Sequence, residues 1–552
     1  MFWRKKRVIK YEDFISPDEI FIDSKNIPGF SREQFEGRIE RPIDKKTLWG
    51  ISIFFLLIGS LLFIRIVVLQ VVHGQALRAR AENNRLDSVQ IPFQRGIIYD
   101  RYKKELAWNT PDGRTYIDLP GLSHVLGYVS SPPQEITIGR EGVEKQYENI
   151  LSGEPGLKLI EVDSKNQIKS ESVQKLPIPG KSIILTIDAE LQSALYNAIN
   201  TVVEERGFQG GAGIIMNPKT GEILALTNWP EYDANMLSRG EPFQEIQNFL
   251  QDERKPFLNR AVSGLYAPGS VIKPFIALAA LNEKIVSPET QIFSGGSISV
   301  PNPFFPDKPT VFYDWKPHGW VDMRRAIAVS SDIYFYTIGG GYGDIRGLGI
   351  SKIQKYAKMF GFGSKTRIDL SAEQEGLVPG PEWKKSNFPE DPLWRIGDTY
   401  HISIGQGNFQ VTPIQVAVFT AAIANNGKLI QPRLLQSENG GVDVNYRMID
   451  NIPVEYFQVV QEGMEQAVQF GTASALSDLG INMAGKTGTA EIGFKKKLVN
   501  SWFSGFAPAE DPKFVITIVL ERGPASNLVG AVAVARQVLQ WTLIHRPEYI
   551  TN

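Results

Sequence analysis

From Leu48 to Ile64 the chain reads "LWGISIFFLLIGSLLFI", without a charge. Arg65 interrupts the run, and "IVVLQVV" carries it on to Val72. No other stretch restricts the fold so strongly. A bilayer core is crossed by ~20 apolar residues, and a single segment inside it must satisfy its backbone as a helix. An arginine near the end of such a helix can snorkel to the interface. A buried globular helix would not be so uniformly apolar. A cleaved leader would start nearer Met1 and end at small residues. The sequence therefore predicts one retained span over residues 47–72, behind a tail over residues 1–46. Arg4, Lys5, Lys6, Arg7, Lys45 and Lys46 precede the span, and Arg78, Arg80 and Arg85 follow it. That distribution leans only slightly towards an N-terminus inside the cell. The tail mixes acids, bases and scattered Ile, Phe and Pro, which suits either a disordered extension or a partner-docking segment.

The chain has 552 residues, enough for two or three domains. Its formal net charge of -1 gives no sign of nucleic-acid binding. Cysteine is absent, which excludes disulfides, thiol catalysis and cysteine-ligated metal.

Within "GLYAPGSVIKPF" (Gly264–Phe275) a Pro-Gly turn is followed by Ser270, and Lys273 comes one turn later. The apolar residues Ile272, Phe275, Ile276, Leu278, Ala279 and Leu281 predict a buried helix starting here. Pro274 is tolerable only in its first turn, and it disfavours the α conformation at Lys273. With the helix starting at Ser270, positions i and i+3 share a face, so hydroxyl and amine are neighbours. The positive helix terminus stabilises an alkoxide and lowers an amine's pKa, so a neutral lysine can serve as general base. The bland alternative is an N-cap serine beside a solvated lysine. Ser172 and Lys175 have the same spacing in a polar segment with no apolar helix behind it, so the spacing alone decides nothing.

Two further elements decide it. "AVSSDIYFY" places Ser330, Ser331 and Asp332 after the helix-like "VDMRRAIAVS". "MAGKTGTAEI" places Lys486, Thr487, Gly488 and Thr489 on a strand-like segment, ahead of "SWFSGFAP" and "KFVITIVLERG". A glycine in a strand marks close approach, a lysine and hydroxyls suit a carboxylate, and a backbone amide suits an oxyanion. Lookalikes occur: Lys219-Thr220-Gly221 reads as a hairpin turn, and Ser164-Lys165-Asn166 mimics S-x-N. Only the ordered set S-x-x-K, S-x-[ND], K-T-G-T in the right contexts carries the reading.

That set resembles the class B penicillin-binding proteins, and within them the elongation-type penicillin-binding proteins 2. "RGIIYDR", "GREGVEKQYENILSGEPG" and "ILTIDAELQ" are similar to the family's pedestal and its junction with the catalytic domain. "FLNRAVSGLYAPGSVIKPF", "HGWVDMRRAIAVSSDIYFY", "GDTYHISIGQGNFQVTPIQ" and "AGKTGTAE" are similar to successive transpeptidase signatures. The tyrosine of "YAPGS" and the form "SSDIYFY" favour the elongation type over the division type. The resemblance implies an α+β fold: one transmembrane helix, a β-rich pedestal over 73–180, and a transpeptidase domain over 181–552. An antiparallel sheet flanked by helices would contain "GGAGIIM", "EILALT", "AGKTGTAEI", "WFSGFAP" and "FVITIVLE". "AVAVARQVLQWTLI" would pack on it as a helix. "ELAWNTPDGRTYIDLPGLSHVLGYV" takes the place of a longer family insertion, so it is expected to be a short loop replacing the pedestal's upper head.

By the same resemblance Ser270 is the nucleophile, Lys273 its base, Ser330 a proton relay and Lys486 a source of positive potential. Asp332, Thr487, Gly488 and Thr489 lie on the substrate side, and the amides of Ser270 and Thr489 form an oxyanion hole. The substrates are stem peptides ending in D-Ala-D-Ala, and β-lactams acylate the same serine. Expected partners are a SEDS-type, RodA-like glycosyltransferase and other elongation-machinery proteins. The expected location is the bacterial cytoplasmic membrane, with the catalytic domain outside. Asp332 stands where asparagine is more common, and a carboxylate there favours a charged Lys273. Some relatives hold zinc beside the second motif. Here Asp314, His318 and Asp322 are suggestive, but Ser331 occupies the cysteine position, so neither metal nor cofactor is expected. A β-lactam sensor, a β-lactamase and a non-catalytic scaffold remain the competing functions.

Overall fold

The computed structural model describes residues 44–83, 86–130, 137–162, 168–302, 307–437, 444–493, 497–527 and 529–551. The expected tail, except for its last residues, and the Ser164-Lys165-Asn166 lookalike lie outside them.

Helix α1 spans Lys45–Val67 and runs on as a π-helical turn over Val68–Val72. Asp44 caps its start by accepting from Lys46 N. None of its residues is buried, and it is long and apolar enough to cross a membrane. A helix apolar on all sides has no face to prefer for a protein core, as the sequence suggested. A second helix follows over Gly74–Asn83.

In the pedestal region, Ile98–Tyr99 pairs in parallel with Ile183–Ile184 and antiparallel with Glu105–Thr110. The segment expected to be a short loop is a β-hairpin, Glu105–Thr110 against Gly113–Tyr116. Its turn is Pro111-Asp112, closed by Gly113 at φ 119°, and Leu106 and Ala107 are buried. Turn chemistry between two strand-competent stretches outweighed the loop reading. Arg95, of "RGIIYDR", donates to Glu144 Oε2 at 2.5 Å and Glu148 Oε2 at 2.6 Å. Arg114 donates to the other Glu144 oxygen at 2.8 Å. Glu144 has no exposed surface. Burial alone would disfavour the charge on Arg95, and the Glu144 and Glu148 carboxylates more than offset it.

The catalytic region is built on five antiparallel strands: β1 (Gly210–Met216), β2 (Ile223–Trp229), β3 (Ala484–Ile492), β4 (Leu498–Ala507) and β5 (Phe514–Pro524), in the order β2-β1-β5-β4-β3. Every residue of β1 and β2 is buried, as expected for strands covered on both faces. The two-residue period of a strand sends neighbours to opposite faces. Ile215, Ile516, Ile518 and Phe503 join the core under α2 (Ala189–Arg206). The same core holds the C-terminal helix Ala531–His545. Ile214, Met216, Val515 and Val519 join the core on the other face, which includes helix α3 (Lys273–Asn282). Fully burying one such side chain stabilises by about 1.5–3 kcal/mol.

Asp188, from "ILTIDAELQ", starts α2 by accepting from Glu190 N and Leu191 N, each at 3.1 Å. Its other oxygen accepts from Arg546 Nε at 2.8 Å, which ties the helix start to the chain's end. Lys219-Thr220-Gly221 sits in the β1–β2 turn, where Asn217 N donates to Glu222 O and Asn217 Oδ1 accepts from Lys219 N. Ser172 lies on an exposed strand, Ile168–Lys175, and Lys175 pairs with Glu154. Both lookalikes are therefore local structure.

Candidate active site

Ser270 lies in a 3₁₀ turn, Gly269–Ile272, immediately before α3, and is the N-cap of neither: Pro268 precedes the turn and Ile272 precedes the helix. The N-cap alternative is thus replaced by a tighter turn, in which residues i and i+3 eclipse. Lys273 takes the helical conformation (φ -52°, ψ -35°) despite the following proline. Its own side chain shows what holds it there. The amine has no exposed surface and donates to Ser330 O at 2.8 Å, Ser330 Oγ at 3.2 Å and Asp332 Oδ1 at 2.7 Å. All three ammonium protons are therefore in use. The Lys273 amide donates to Ser270 O, and no side-chain hydrogen bond joins the two residues.

Ser330 follows α4 (Met323–Val329) and sits in the left-handed region at φ 58°, ψ 42°. A non-glycine residue held there costs about 1–3 kcal/mol, and such residues gather at functional sites. The strain turns both its carbonyl and its hydroxyl to the lysine. Ser331 then caps α5 (Asp332–Gly340), accepting from Tyr334 N. Its hydroxyl donates to Asp314 Oδ2 at 2.8 Å. Asp314 also accepts from Ser294 Oγ and Ile333 N, so this carboxylate anchors the second motif from below.

The third motif meets the Ser270 turn through missing side chains. A Cβ on Gly488 would lie 2.9 Å from Pro268 O and 3.1 Å from Val271 N. Gly269 (φ 57°) comes as close to the Thr489 backbone, with its hypothetical Cβ 2.8 Å from Thr489 O. Lys486 is 1% exposed and donates to Thr487 O. Burial pushes its pKa well below the ordinary 10.5, the Lys273 charge pushes it further, and Asp332 only partly offsets them. Thr487 donates to Thr472 Oγ1 at 2.6 Å, while Thr489 is exposed.

The sequence reading missed three contributors. Gly405 backs the turn: it accepts from Gly269 N at 2.8 Å, and a Cβ on it would lie 2.1 Å from Gly269 O. Gln406 donates to Thr489 O at 3.2 Å. Thr472 holds Thr487 and donates its amide to Ala328 O. The glycine pair of "IGQG" was the one available signal for the first two. Thr472 carried none.

The zinc question turns on the donors. Asp314 and His318 stand 3.6 Å apart, Asp322 caps α4 through Arg325 N, and Ser331 spends its hydroxyl proton on Asp314. Burial lowers the pKa of His318. Among the described residues no three His, Cys, Asp or Glu side chains converge, and this donor set does not fit the site of the zinc-bearing relatives.

A family model described as the penicillin binding protein transpeptidase domain matches residues 211–540. One described as the penicillin-binding protein dimerisation domain matches residues 112–185. The peptidoglycan D,D-transpeptidase MrdA of Haemophilus influenzae is 29% identical, over 89% of this chain and 90% of its own length. The solved Pseudomonas aeruginosa PBP2, in complex with WCK 5153, is 33% identical with a TM-score of 0.69, over 84% of this chain and 100% of that one. A chain from a peptidoglycan synthase complex that coordinates polymerization and crosslinking is 26% identical with a TM-score of 0.70, over 90% of this chain and 98% of that one. With its motifs converging on one cleft and more than half its length matched, the chain belongs to the penicillin-binding protein transpeptidases.

Proposed function

We propose that the chain is an elongation-type peptidoglycan D,D-transpeptidase and that Ser270 carries the acyl group. The observation behind this reading is the buried Lys273, one turn from Ser270 and bonded to Ser330 and Asp332. Ser270 Oγ attacks the carbonyl between the two terminal D-alanines. Its proton passes by Lys273 and Ser330 to the departing amine of D-alanine. The amides of Ser270 and Thr489 face the oxyanion, and Lys486 and Thr489 bind the terminal carboxylate. Thr487, which would bind the same carboxylate, donates to Thr472 Oγ1 before substrate arrives. An amine of a second stem peptide then displaces Ser270. A β-lactam stops at the acyl-enzyme. Intact-mass measurement after penicillin treatment tests the nucleophile. One stable adduct is expected on the wild type and on Ser172→Ala, and none on Ser270→Ala. A full adduct on Ser270→Ala would sink the assignment, and rapid loss of the adduct from the wild type would indicate a β-lactamase.

The Lys273–Asp332 ion pair supports a second proton path. There Lys273 is held in its ion pair with Asp332, and Lys486, whose proton burial makes weakly held, is the amine that receives the proton by way of Ser330. Lys486→Arg separates the two, because arginine keeps the charge and cannot take a proton. Acylation that survives in that variant supports Lys273 as base, and its loss supports Lys486.

α1 would anchor the chain in the cytoplasmic membrane with the catalytic region outside. A transpeptidase of this kind polymerises no glycan, so it would work beside a SEDS-type, RodA-like glycosyltransferase contacted through α1 and the pedestal near Arg95 and Tyr99. Replacing α1 with an unrelated apolar helix should weaken co-purification while leaving acylation intact. Unchanged co-purification would move the interface to the pedestal alone.

A further inference from the structure

On the catalytic region, between the end of the helix Ile350–Met359 and the hairpin Lys428–Ile430/Tyr446–Met448, lies a groove of about 440 Å³. Lys358, Lys365, Arg367 and Arg447 line it, and among the described residues no acidic side chain does. None of the four has an ion-pair partner among the described residues. Other cations of the chain, such as Arg395, Lys384 and Arg536, do have carboxylate partners.

Asp369, the carboxylate nearest in sequence to Arg367, accepts from Tyr147 Oη, Leu434 N and Leu435 N. Glu373 spends its oxygens on Thr366 N, Thr366 Oγ1 and Arg367 N, all main-chain or hydroxyl donors. Those bonds fix the backbone under the cations. Arg367 is held at φ 63°, and its carbonyl accepts from Gln431 Nε2 at 2.7 Å. Gln431 in turn accepts from Asn445 Nδ2 at 2.7 Å. Arg447 is tethered by its bond to Met359 O at 2.8 Å, which leaves its remaining N–H groups free. The backbone is thus braced, one residue is strained, and the charged ends are unspent.

We propose that this groove binds a phosphate-bearing ligand with two or more negative charges, separately from the Ser270 cleft. Two guanidinium forks can each grip a phosphate by two hydrogen bonds, and the two lysines supply charge without demanding geometry. The cavity admits one headgroup-sized ligand. A lipid headgroup and a free phosphate compound share this chemistry.

The test uses the full chain in phosphatidylcholine nanodiscs and titration calorimetry. The probes are inorganic pyrophosphate and a short-chain cardiolipin, which carries two phosphates, below its micelle concentration. The wild type is expected to bind at least one probe, and raising salt from ~0.05 to ~0.5 M should weaken it. Lys365→Glu with Arg367→Glu should lower the affinity at least about tenfold, and Arg447→Gln should lower it in the same direction. Penicillin acylation of Ser270 should be unchanged in both variants, which reports an intact fold. Binding of the lipid alone assigns a headgroup, and binding of pyrophosphate assigns the phosphate itself. The proposal is overturned if neither probe binds the wild type, or if correctly folded variants bind as tightly as the wild type.

Discussion

In the pedestal, the buried Glu144 is held by two guanidinium groups, whereas in the catalytic cleft the buried Lys273 is bonded to Asp332 and the buried Lys486 is bonded to no carboxylate. Both regions take charge out of water. In the pedestal, Glu148 brings the count to two carboxylates against two arginines. In the cleft, Asp332 is bonded to Lys273 and Asp314 lies within reach of the same charge, while Lys486 has only a backbone carbonyl for a partner. A buried charge is stable only when paired and hydrogen-bonded. The pedestal meets that condition for Glu144 and Arg95, and of that cluster leaves only Arg114 Nη2 without a hydrogen-bond partner. The cleft meets it for Lys273 and leaves Lys486 with a weakly held proton. The difference separates a cluster that fixes a fold from one that holds potential ready for an anionic substrate. Backbone geometry follows the same division, because Ser330 is strained to present two acceptors to Lys273.

The largest effect should come from breaking the pedestal cluster. Glu144→Ala leaves Arg95 and Arg114 buried without their shared partner, a loss of about 3–5 kcal/mol in stability. Denaturant or thermal unfolding reads it directly. A loss below about 1 kcal/mol would mean that water reaches the cluster and that the contrast is false.

Lys486→Met should act in the opposite sense on stability. Below the lowered folded-state pKa of Lys486 both states carry its proton, and the folded state bears the full cost of the buried charge. Between that value and 10.5 the unfolded chain binds the proton and the folded chain does not, so wild-type stability rises with pH. Above 10.5 the cost is gone. The variant should therefore be at least as stable as the wild type at neutral pH, with the gap closing as pH approaches 10.5. Acylation should fall by about 10²–10³. A variant less stable at neutral pH would show that Lys486 is paired more strongly than its contacts indicate.

How much of this contrast the sequence carried differs between the two regions. Ser270, Lys273, Ser330 and Lys486 were legible because each motif is local, and their order identified a family. The five strands were legible from their apolar runs. The 3₁₀ turn at Ser270 was not, because its reason lies across the fold at Gly405 and Gly488. The pairing of Asp332 with Lys273 was open in the sequence, since a carboxylate can be satisfied by many donors. Glu144 was quoted only as part of a signature. Nothing local says that Arg95 and Arg114, distant in the chain, would close on it. The hairpin at Pro111-Asp112 was misread as a loop because its strands are short.

A smaller effect sharpens the boundary between the cleft and its support. Ser331→Ala removes the cap of α5 and one of the donors to Asp314, and should cost about 1–2 kcal/mol. Because Asp314 keeps Ser294 and Ile333, acylation should change little. A loss of acylation comparable to that of Lys486→Met would place Ser331 among the reacting groups.

The most direct measurement is the rate of penicillin acylation at Ser270 in Lys273→Met, taken with its thermal unfolding midpoint. If the cleft's buried charge serves chemistry, the rate falls by about 10²–10⁴ while the midpoint stays within a few degrees of the wild type. A rate within about tenfold of the wild type, or a loss that only accompanies unfolding, would contradict the account.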